Sequence, residues 1–319
     1  MTSSMVLEKP IENPTGTGSD PSSLPKRKLI VARAAGYCFG VRRAIEMAQS
    51  TRERFEGRVT TLGKLIHNPQ EIARLQEKGI EASDRLTTIK GGAIVLSAHG
   101  VPPSIPREAR EQGLRVVDTT CPFVTKVHRA AVKLFQEGYQ ILLVGDAGHT
   151  EIIGIIGAVE EVGGKVTRIS LPEEVESLVL GKKVGIISQT TQTAALYGAI
   201  VAEVSKRVRE VKAINTICGA TDELQSAAVD MAQRCDVAIV VGGKMSANTR
   251  RLRDLCEKQG ISAYHIETPD EIREDWLFGK ETVGITAGAS TPDWLIEDTA
   301  RRLYGGNLPE DWNLTHPDA

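Results

Sequence analysis

The sequence lacks any stretch of about 20 uninterrupted apolar residues, the length that a membrane-spanning helix needs. The 39 basic and 41 acidic residues give a net charge of −2, and no block of basic residues is long enough to bind a phosphate backbone. Nucleic acid is therefore not an expected partner. The start of the chain has no apolar core of the kind that secretory signals contain. With 41% hydrophobic residues the chain can bury a core, and we expect a cytoplasmic globular protein.

No Cys-x-x-Cys pair occurs, which excludes zinc ribbons, thioredoxin-like redox sites and ferredoxin-type cluster runs. The five cysteines are an odd number in a chain without an export signal, so a disulfide framework is not expected. Metal binding or catalysis is the alternative use of these thiols. They are Cys38, Cys121, Cys218, Cys235 and Cys256.

The first 28 residues are rich in Ser, Pro, Thr and Gly and contain no run that could pack. This composition predicts a disordered leader over residues 1–28, with the fold beginning near Leu29.

The rest of the chain repeats one strand–loop–helix pattern three times, with a cysteine at each strand-to-helix junction. The segments are KLIVARAAGYCFGVRRAIEMA, LRVVDTTCPFVTKVHRAAVKL and KAINTICGATDELQSAAVDMA, which align on Cys38, Cys121 and Cys218. Their spacing predicts a unit of roughly ninety residues.

Two further features recur in the same order. In the first, a strand ends in Gly and a polar residue follows four positions later; these polar residues are His67, His149 and Ser246. In the second, a short apolar strand leads into a small polar loop; these loops carry His99, Thr190 with Thr191, and Ser290.

Strands that alternate with helices predict an α/β fold with parallel sheets. In such sheets the loops at the carboxyl ends of the strands form the functional site. If the three units face a common axis, their loops meet, and the three cysteines then line a central cavity with a ring of His, Thr, Ser and Asn side chains.

Three thiolates in one register can hold zinc or an iron–sulfur cluster, and the residues alone leave both open. Three ligands on a four-iron cluster would leave one iron open, as a Lewis acid and an electron source. Cys235 and Cys256 lie outside the register in apolar segments, so we interpret them as packing residues.

The polar loop residues suit anion binding and proton transfer. His67 opens HNPQEIARL, a helix start with free amides, while His99 lies in a tight Gly- and Pro-containing loop. His149 and Glu151 are two residues apart after an apolar strand and could relay a proton. Ser246, Asn248 and Ser290 lie in small-residue loops typical of oxyanion cradles. Each also has a structural interpretation as a helix cap, a turn former or an exposed loop residue.

The motifs resemble those of the 4-hydroxy-3-methylbut-2-enyl diphosphate reductases, the LytB family, from about Leu29 to Leu303. The matching segments are GYCFGVRRAI, HNP, SAHGV, DTTCPFVTKVH, GHTEIIG, SQTTQT, TICGAT, GGKMSANTRRL and TAGASTPDWL. The resemblance implies three similar α/β domains with mostly parallel sheets, arranged as a pseudo-threefold trefoil around a [4Fe–4S] cluster. It implies that Cys38, Cys121 and Cys218 are the only protein ligands of the cluster.

The resemblance also implies a reaction and its residues. The allylic hydroxyl of (E)-4-hydroxy-3-methylbut-2-enyl diphosphate would leave as water, which gives isopentenyl and dimethylallyl diphosphate. A ferredoxin or flavodoxin would donate the electrons. Glu151 would deliver protons, Thr190 would hydrogen-bond the substrate hydroxyl, and His149 would lie beside the residues that bind the diphosphate. Those residues would be His67, His99, Ser246, Asn248 and Ser290.

The domains expected from the motifs follow the leader. The segment 29–38 would pack with the third domain, and the three domains would span 39–121, 122–214 and 215–305, before a tail over 306–319. Two positions depart from the family pattern: Ala247 stands where a second serine is common, and ATDELQ after Cys218 lacks an Arg. The rival interpretations are a zinc or iron hydrolase that uses the three thiolates, and a cluster-bearing sensor or RNA-associated protein without turnover.

Overall fold

The computed structural model describes residues 6–7 and 27–308. Most of the expected leader and tail therefore lies outside the described residues. Val6–Leu7, inside that leader, forms a two-residue strand that pairs antiparallel with Lys28–Val31. The structure differs from the expectation there, because the edge of a sheet offers unpaired backbone groups to any extended segment.

The strands of the described residues are β1 (Val6–Leu7), β2 (Lys28–Val31), β3 (Val59–Leu62), β4 (Ile80–Ser83), β5 (Ala93–Leu96), β6 (Arg115–Asp118), β7 (Gln140–Val144), β8 (Val166–Ile169), β9 (Lys183–Ser188), β10 (Glu210–Ala213), β11 (Val237–Val241), β12 (Ser262–Ile266) and β13 (Thr282–Ala287). The α-helices are α1 (Phe39–Arg54), α2 (Pro69–Glu77), α3 (Ser104–Glu111), α4 (Pro122–Gln136), α5 (Thr150–Glu160), α6 (Ala194–Ser205), α7 (Gly219–Ala232), α8 (Ala247–Glu257), α9 (Glu274–Leu277) and α10 (Asp293–Tyr304). Short 3-10 helices cover Leu86–Thr88, Pro172–Ser177 and Pro269–Glu271.

The strands form three sheets with the same internal order. The sheets run β4-β3-β5-β6, β8-β7-β9-β10 and β12-β11-β13-β2, and every neighbouring pair in these orders is parallel. Strand β1 extends the third sheet beyond β2. This confirms the α/β fold class with three mostly parallel sheets, and the repeated order matches the internal repeat in the sequence.

The described residues fall into two compact units. Residues 6–7, 27–38, 67–69 and 223–308 make up the first, which contains Cys38 and is called the Cys38 unit here. Residues 39–66 and 70–222 make up the second, the Cys121–Cys218 unit. The third sheet belongs to the Cys38 unit, and the other two sheets belong to the Cys121–Cys218 unit.

The central strands β5, β7, β9, β11 and β13 are buried along nearly all of their length, as expected for parallel strands that are covered by helices on each side. In β7, Ile141 and Leu143 pack into one core cluster, while Leu142 and Val144 pack into another on the opposite face. Both faces of each such sheet are therefore closed, and the loops at the strand ends are left to carry polar groups. No helix within residues 6–7 and 27–308 is both long and apolar enough to cross a membrane.

Candidate active site

Each of the three aligned cysteines lies directly before a helix. Helices α1, α4 and α7 begin one residue after Cys38, Cys121 and Cys218. The first amides of a helix lack partners within the helix, and they favour a thiolate over a thiol. None of the three forms a disulfide bond within the described residues, and all three are partly buried.

The same backbone hydrogen bond holds each cysteine to the loop after the third strand of its sheet. The donor and acceptor pairs are Cys38 N to Ala289 O at 3.1 Å, Cys121 N to Ala98 O at 3.0 Å and Cys218 N to Thr190 O at 2.9 Å. Ala98 and Ala289 directly precede His99 and Ser290. The residue of the second repeat that corresponds to His99 and Ser290 is therefore Thr191, and Thr190 corresponds to the two alanines.

The environment of Cys218 combines several charges. Burial raises the pKa of the Cys218 thiol, the backbone amides of Ala220 and Thr221 lower it, and Cys121 and Glu151 raise it further. The Cys121 thiol and the Glu151 carboxyl group thus lie close enough to Cys218 to act on its pKa. A bound cation would relieve this accumulation of negative charge.

The two remaining cysteines pack into an apolar cluster. Cys256 is fully buried in an apolar cluster of the Cys38 unit, and Cys235 packs against the same cluster. Burial raises the pKa of Cys235 to about 11 and that of Cys256 to about 12. Both environments are typical of packing residues.

Glu151 lies in the first turn of α5 and is only 1% exposed. Thr190 hydrogen-bonds both carboxylate oxygens of Glu151. The Thr190 backbone N–H donates to Glu151 Oε1 at 2.6 Å, and the Thr190 hydroxyl donates to Glu151 Oε2 at 2.7 Å. Thr190 also accepts the hydrogen bond from Cys218. One threonine thus connects a buried carboxyl group to a cysteine of the aligned set.

His149 is the N-cap of α5, and its Nδ1 accepts a hydrogen bond from the backbone N–H of Glu151 at 3.2 Å. A neutral imidazole in this arrangement carries its proton on Nε2. The ring of His99 meets the ring of His149 edge to face, with centroids 5.7 Å apart. Ser97 Oγ lies 3.0 Å from His99 Nδ1 and orients that ring.

The Cys38 unit gathers a second group of predicted residues. Ser290 donates from Oγ to the carbonyl oxygen of His67 at 3.2 Å. A Cβ added at Gly243 would lie 2.2 Å from that same oxygen, so this position of the loop after β11 must be glycine. Ser246 caps α8, and its Oγ accepts from the backbone N–H of Thr249 at 3.2 Å.

Asn248 is 3% exposed, and within the described residues neither Oδ1 nor Nδ2 has a hydrogen-bond partner. A buried amide without partners costs free energy, so its presence at a helix start indicates a ligand that it would bind. Ala247, the departure from the family pattern, is buried at the first position of α8. The other departure, after Cys218, has no structural explanation.

Sequence reasoning missed the glutamine of the β9 loop. Gln189 is fully buried, its Oε1 accepts from the backbone N–H of Asp146 at 2.9 Å, and its Nε2 donates to Thr191 at 3.0 Å. Gln189 therefore connects the loop before His149 to the loop that contains Thr190 and Thr191 through two hydrogen bonds. The run SQTTQT contains this signal, since two glutamines in a short loop after a buried strand are more polar than a turn requires.

The predicted site residues divide between the two compact units. His99, Cys121, His149, Glu151, Thr190 and Cys218 lie in the Cys121–Cys218 unit, and Cys38, His67, Ser246, Asn248 and Ser290 lie in the Cys38 unit. No three His, Cys, Asp or Glu side chains within residues 6–7 and 27–308 are grouped for a single metal ion.

Comparison with known proteins decides the family. A family model described as LytB protein matches residues 29–304. The chain belongs to the LytB family. The 4-hydroxy-3-methylbut-2-enyl diphosphate reductase of Aquifex aeolicus is 42% identical over 275 residues, which cover 86% of this chain and 95% of the relative. The protein of the same name from Geobacter sulfurreducens is 41% identical over 276 residues, which cover 86% of this chain and 96% of the relative.

Two solved structures of diphosphate reductases have the same fold. One is a (E)-4-hydroxy-3-methyl-but-2-enyl diphosphate reductase described as the terminal enzyme of the non-mevalonate pathway. It is 41% identical with a TM-score of 0.65, and the match covers 86% of this chain and 98% of that one. The E-1-hydroxy-2-methyl-but-2-enyl-4-diphosphate reductase of Plasmodium falciparum is 27% identical with a TM-score of 0.82, and the match covers 87% and 88%. The LytB resemblance that the motifs predict is confirmed.

Proposed function

We propose that the chain is an iron–sulfur oxidoreductase that converts (E)-4-hydroxy-3-methylbut-2-enyl diphosphate into isopentenyl and dimethylallyl diphosphate, the last step of the methylerythritol phosphate route to isoprenoids. Two electrons and two protons enter, the allylic C–O bond breaks, and the oxygen leaves as water. Membership of the LytB family supports this activity. The observation that carries it is the buried Glu151 carboxyl group, held by both donors of Thr190 beside Cys218.

Cys38, Cys121 and Cys218 are the residues that would hold a [4Fe–4S] cluster. Soft thiolates suit iron, and the raised pKa of Cys218 next to Cys121 fits a site that is completed by positive charge. Ligands of a multi-iron cluster bind different irons, so they need not be grouped as the ligands of one ion are. When bound, such a cluster would supply electrons and Lewis acidity for the loss of the hydroxyl group.

Glu151 and Thr190 form the proton path. The Thr190 hydroxyl can donate and accept at once. When Glu151 is protonated, its Oε2–H can donate to Thr190 Oγ1, and the threonine proton then turns toward the substrate hydroxyl. Protonation of that hydroxyl makes it leave as water. His149 Nδ1 accepts from the Glu151 backbone N–H, which leaves the proton of the neutral ring on Nε2. This Nε2–H would be a second donor to the substrate.

The LytB resemblance supports a set of residues that would bind the diphosphate. His99 and His149 offer imidazole nitrogens, while Ser246, Asn248 and Ser290 offer hydroxyl and amide donors close to the start of α8. His67 belongs to this set through its contact with Ser290. The amide of Asn248, buried without a partner among the described residues, supports this assignment most strongly.

The electron donor would be a ferredoxin or flavodoxin, and the protein would act in the cytoplasm. The pseudo-threefold trefoil and the domain boundaries at 39, 122 and 215 stay predictions from the sequence.

Glu151→Gln tests the division between binding and chemistry. Gln keeps the size of Glu and can accept from Thr190, but it has no acidic proton, so turnover should fall about 10²–10⁴-fold. Glu160→Gln, at the exposed end of the same helix, is the matched control and should turn over normally. Substrate binding is measured by calorimetry with the oxidised protein and turnover by anaerobic assay. Near-normal turnover of Glu151→Gln would show that the proton comes from another group.

A further inference from the structure

Two glycines on one face of α5 allow the His99 loop to lie directly on the helix. Gly154 and Gly157 are three residues apart, so they share a face. A Cβ added at Gly157 would lie 2.6 Å from the Cβ of Pro102, and one added at Gly154 would lie 3.5 Å from the carbonyl carbon of Gly100. The Pro102 ring thus occupies the space that a side chain at position 157 would fill, and the Gly100 backbone lies in contact range of position 154.

His128, from α4, completes the contact from a third direction. A Cβ added at Gly154 would lie 3.1 Å from His128 Nε2, and one added at Gly100 would lie 3.3 Å from the same atom. Within the described part of the chain this nitrogen has no hydrogen-bond partner. Burial lowers the pKa of His128, against the opposing charge of Asp118, so the ring is neutral at pH 7. The imidazole therefore acts here through its shape.

We propose that Gly154, Gly157 and His128 form a seat for the loop Gly100–Pro102 that sets the separation between His99 and His149. His99 directly precedes this loop, and His149 is the N-cap of α5. The distance between loop and helix therefore sets the distance between the two rings, whose centroids are 5.7 Å apart. The three residues are positioning residues. Their effect on catalysis rests on the proposed function, in which the two histidines bind the diphosphate.

Gly157→Ala tests the seat, with Gly198→Ala as the matched control. Gly198 lies in α6 of the same unit, and a Cβ there meets nothing within 4 Å. Both substitutions improve helix propensity, so their effects on helix stability are alike. Gly157→Ala must displace Pro102, and displacements of about 1 Å can cost up to about 100-fold. We expect a changed His99–His149 separation in its crystal structure and at least about tenfold weaker binding of inorganic diphosphate. Gly198→Ala should match the wild type in both.

His128→Ala and His128→Phe separate positioning from simple loss of stability. Ala removes the ring beneath the loop, so we expect KM to rise by about tenfold or more, with a smaller change in kcat, because the Glu151–Thr190 pair is untouched. Phe replaces the ring and should restore most of the lost affinity.

If the wild-type protein binds diphosphate but does not turn over the substrate, the proposed function is wrong. The seat is then tested by the His99–His149 separation in the Gly157→Ala crystal structure alone. An unchanged ring separation in Gly157→Ala overturns the proposal whatever the turnover. A fall in melting temperature for His128→Ala with unchanged KM overturns it for that residue.

Discussion

At the scale of single residues, Thr190 connects the groups that the chemistry needs. Its N–H and hydroxyl hold the Glu151 carboxylate, and its carbonyl accepts from the Cys218 N–H. The carboxyl group therefore keeps a fixed orientation relative to a residue that would bind iron. A buried carboxylate held by two donors loses little entropy when it reacts.

Thr190→Val should remove the relay and retain the fold. Valine keeps the backbone bonds to Glu151 and Cys218 but lacks the hydroxyl. A hydrogen bond to a charged group is worth about 1.5–3 kcal/mol, which corresponds to about a ten- to hundredfold loss of turnover. Thr190→Ser keeps the hydroxyl and should stay close to the wild-type rate. Steady-state anaerobic kinetics of the two variants measure the contribution of the hydroxyl. Equal rates for Thr190→Val and Thr190→Ser would show that the hydroxyl takes no part in the mechanism.

The cysteines divide into two classes that substitution should separate. Ser at position 38, 121 or 218 replaces a soft thiolate with a hard oxygen, so each variant should lose the cluster and the activity. Cys235→Ser and Cys256→Ser should keep both, because these side chains pack against apolar residues. Iron and sulfide quantitation after anaerobic purification measures the outcome. A normal iron content in any of the first three variants would refute the ligand assignment.

At the scale of elements, the polar residues of the site lie where parallel strands end and helices begin. Strands β3, β7 and β11 each end one residue before a glycine, and β5, β9 and β13 lead into the His99, Thr190 and Ser290 loops. Helix starts supply free amides and partial positive charge at the same places. The elements thus place donors for an anion without any Arg or Lys in the predicted set.

The start of α8 tests whether such a helix end binds diphosphate. Ser246→Ala removes the cap on Thr249 and should cost about 0.5–2 kcal/mol of stability. Ser246→Asp keeps a capping oxygen and suits the helix dipole, yet its negative charge repels diphosphate. We therefore expect the Asp variant to melt near the wild type and to bind diphosphate at least about tenfold more weakly, since 1.4 kcal/mol is tenfold. Undiminished binding by the Asp variant would place the diphosphate elsewhere.

The sequence predicted these elements well but not their finest alignment. Apolar runs before Gly145 and Gly242 located β7 and β11, because a parallel strand that is buried on both faces is mostly apolar. The equivalence of Thr191 with His99 and Ser290 could not be predicted, since it depends on which carbonyl accepts from the cysteine N–H. A loop offset of one residue leaves no trace in the hydrophobic pattern.

At the scale of the whole molecule, the last of the four parallel strands in each sheet leads to a cysteine. In the third sheet this strand is β2, so the last repeat is completed by a strand that precedes the other two sheets in the chain. The repeat in the sequence predicted three similar sheets. Pairing of Val6–Leu7 with β2 was not predictable, because two apolar residues in a polar leader carry no periodic signal.

The packing of the loop Gly100–Pro102 against α5 could not be predicted from the sequence either. The run EIIGIIG shows two glycines on a helix, but only the packed structure shows that Pro102 occupies the space beside Gly157. Buried polar side chains such as Gln189 and Asn248 likewise gain their meaning from the partners that they have or lack.

The most direct test of the proposed function is a product analysis. The wild-type protein, purified without oxygen and loaded with iron and sulfide, is mixed with (E)-4-hydroxy-3-methylbut-2-enyl diphosphate and a chemically reduced ferredoxin or flavodoxin. Loss of the allylic hydroxyl predicts isopentenyl and dimethylallyl diphosphate, with two electrons consumed for each molecule of product. Recovery of unchanged substrate by a protein that carries a full cluster, or release of inorganic phosphate in its place, would contradict the reductive function.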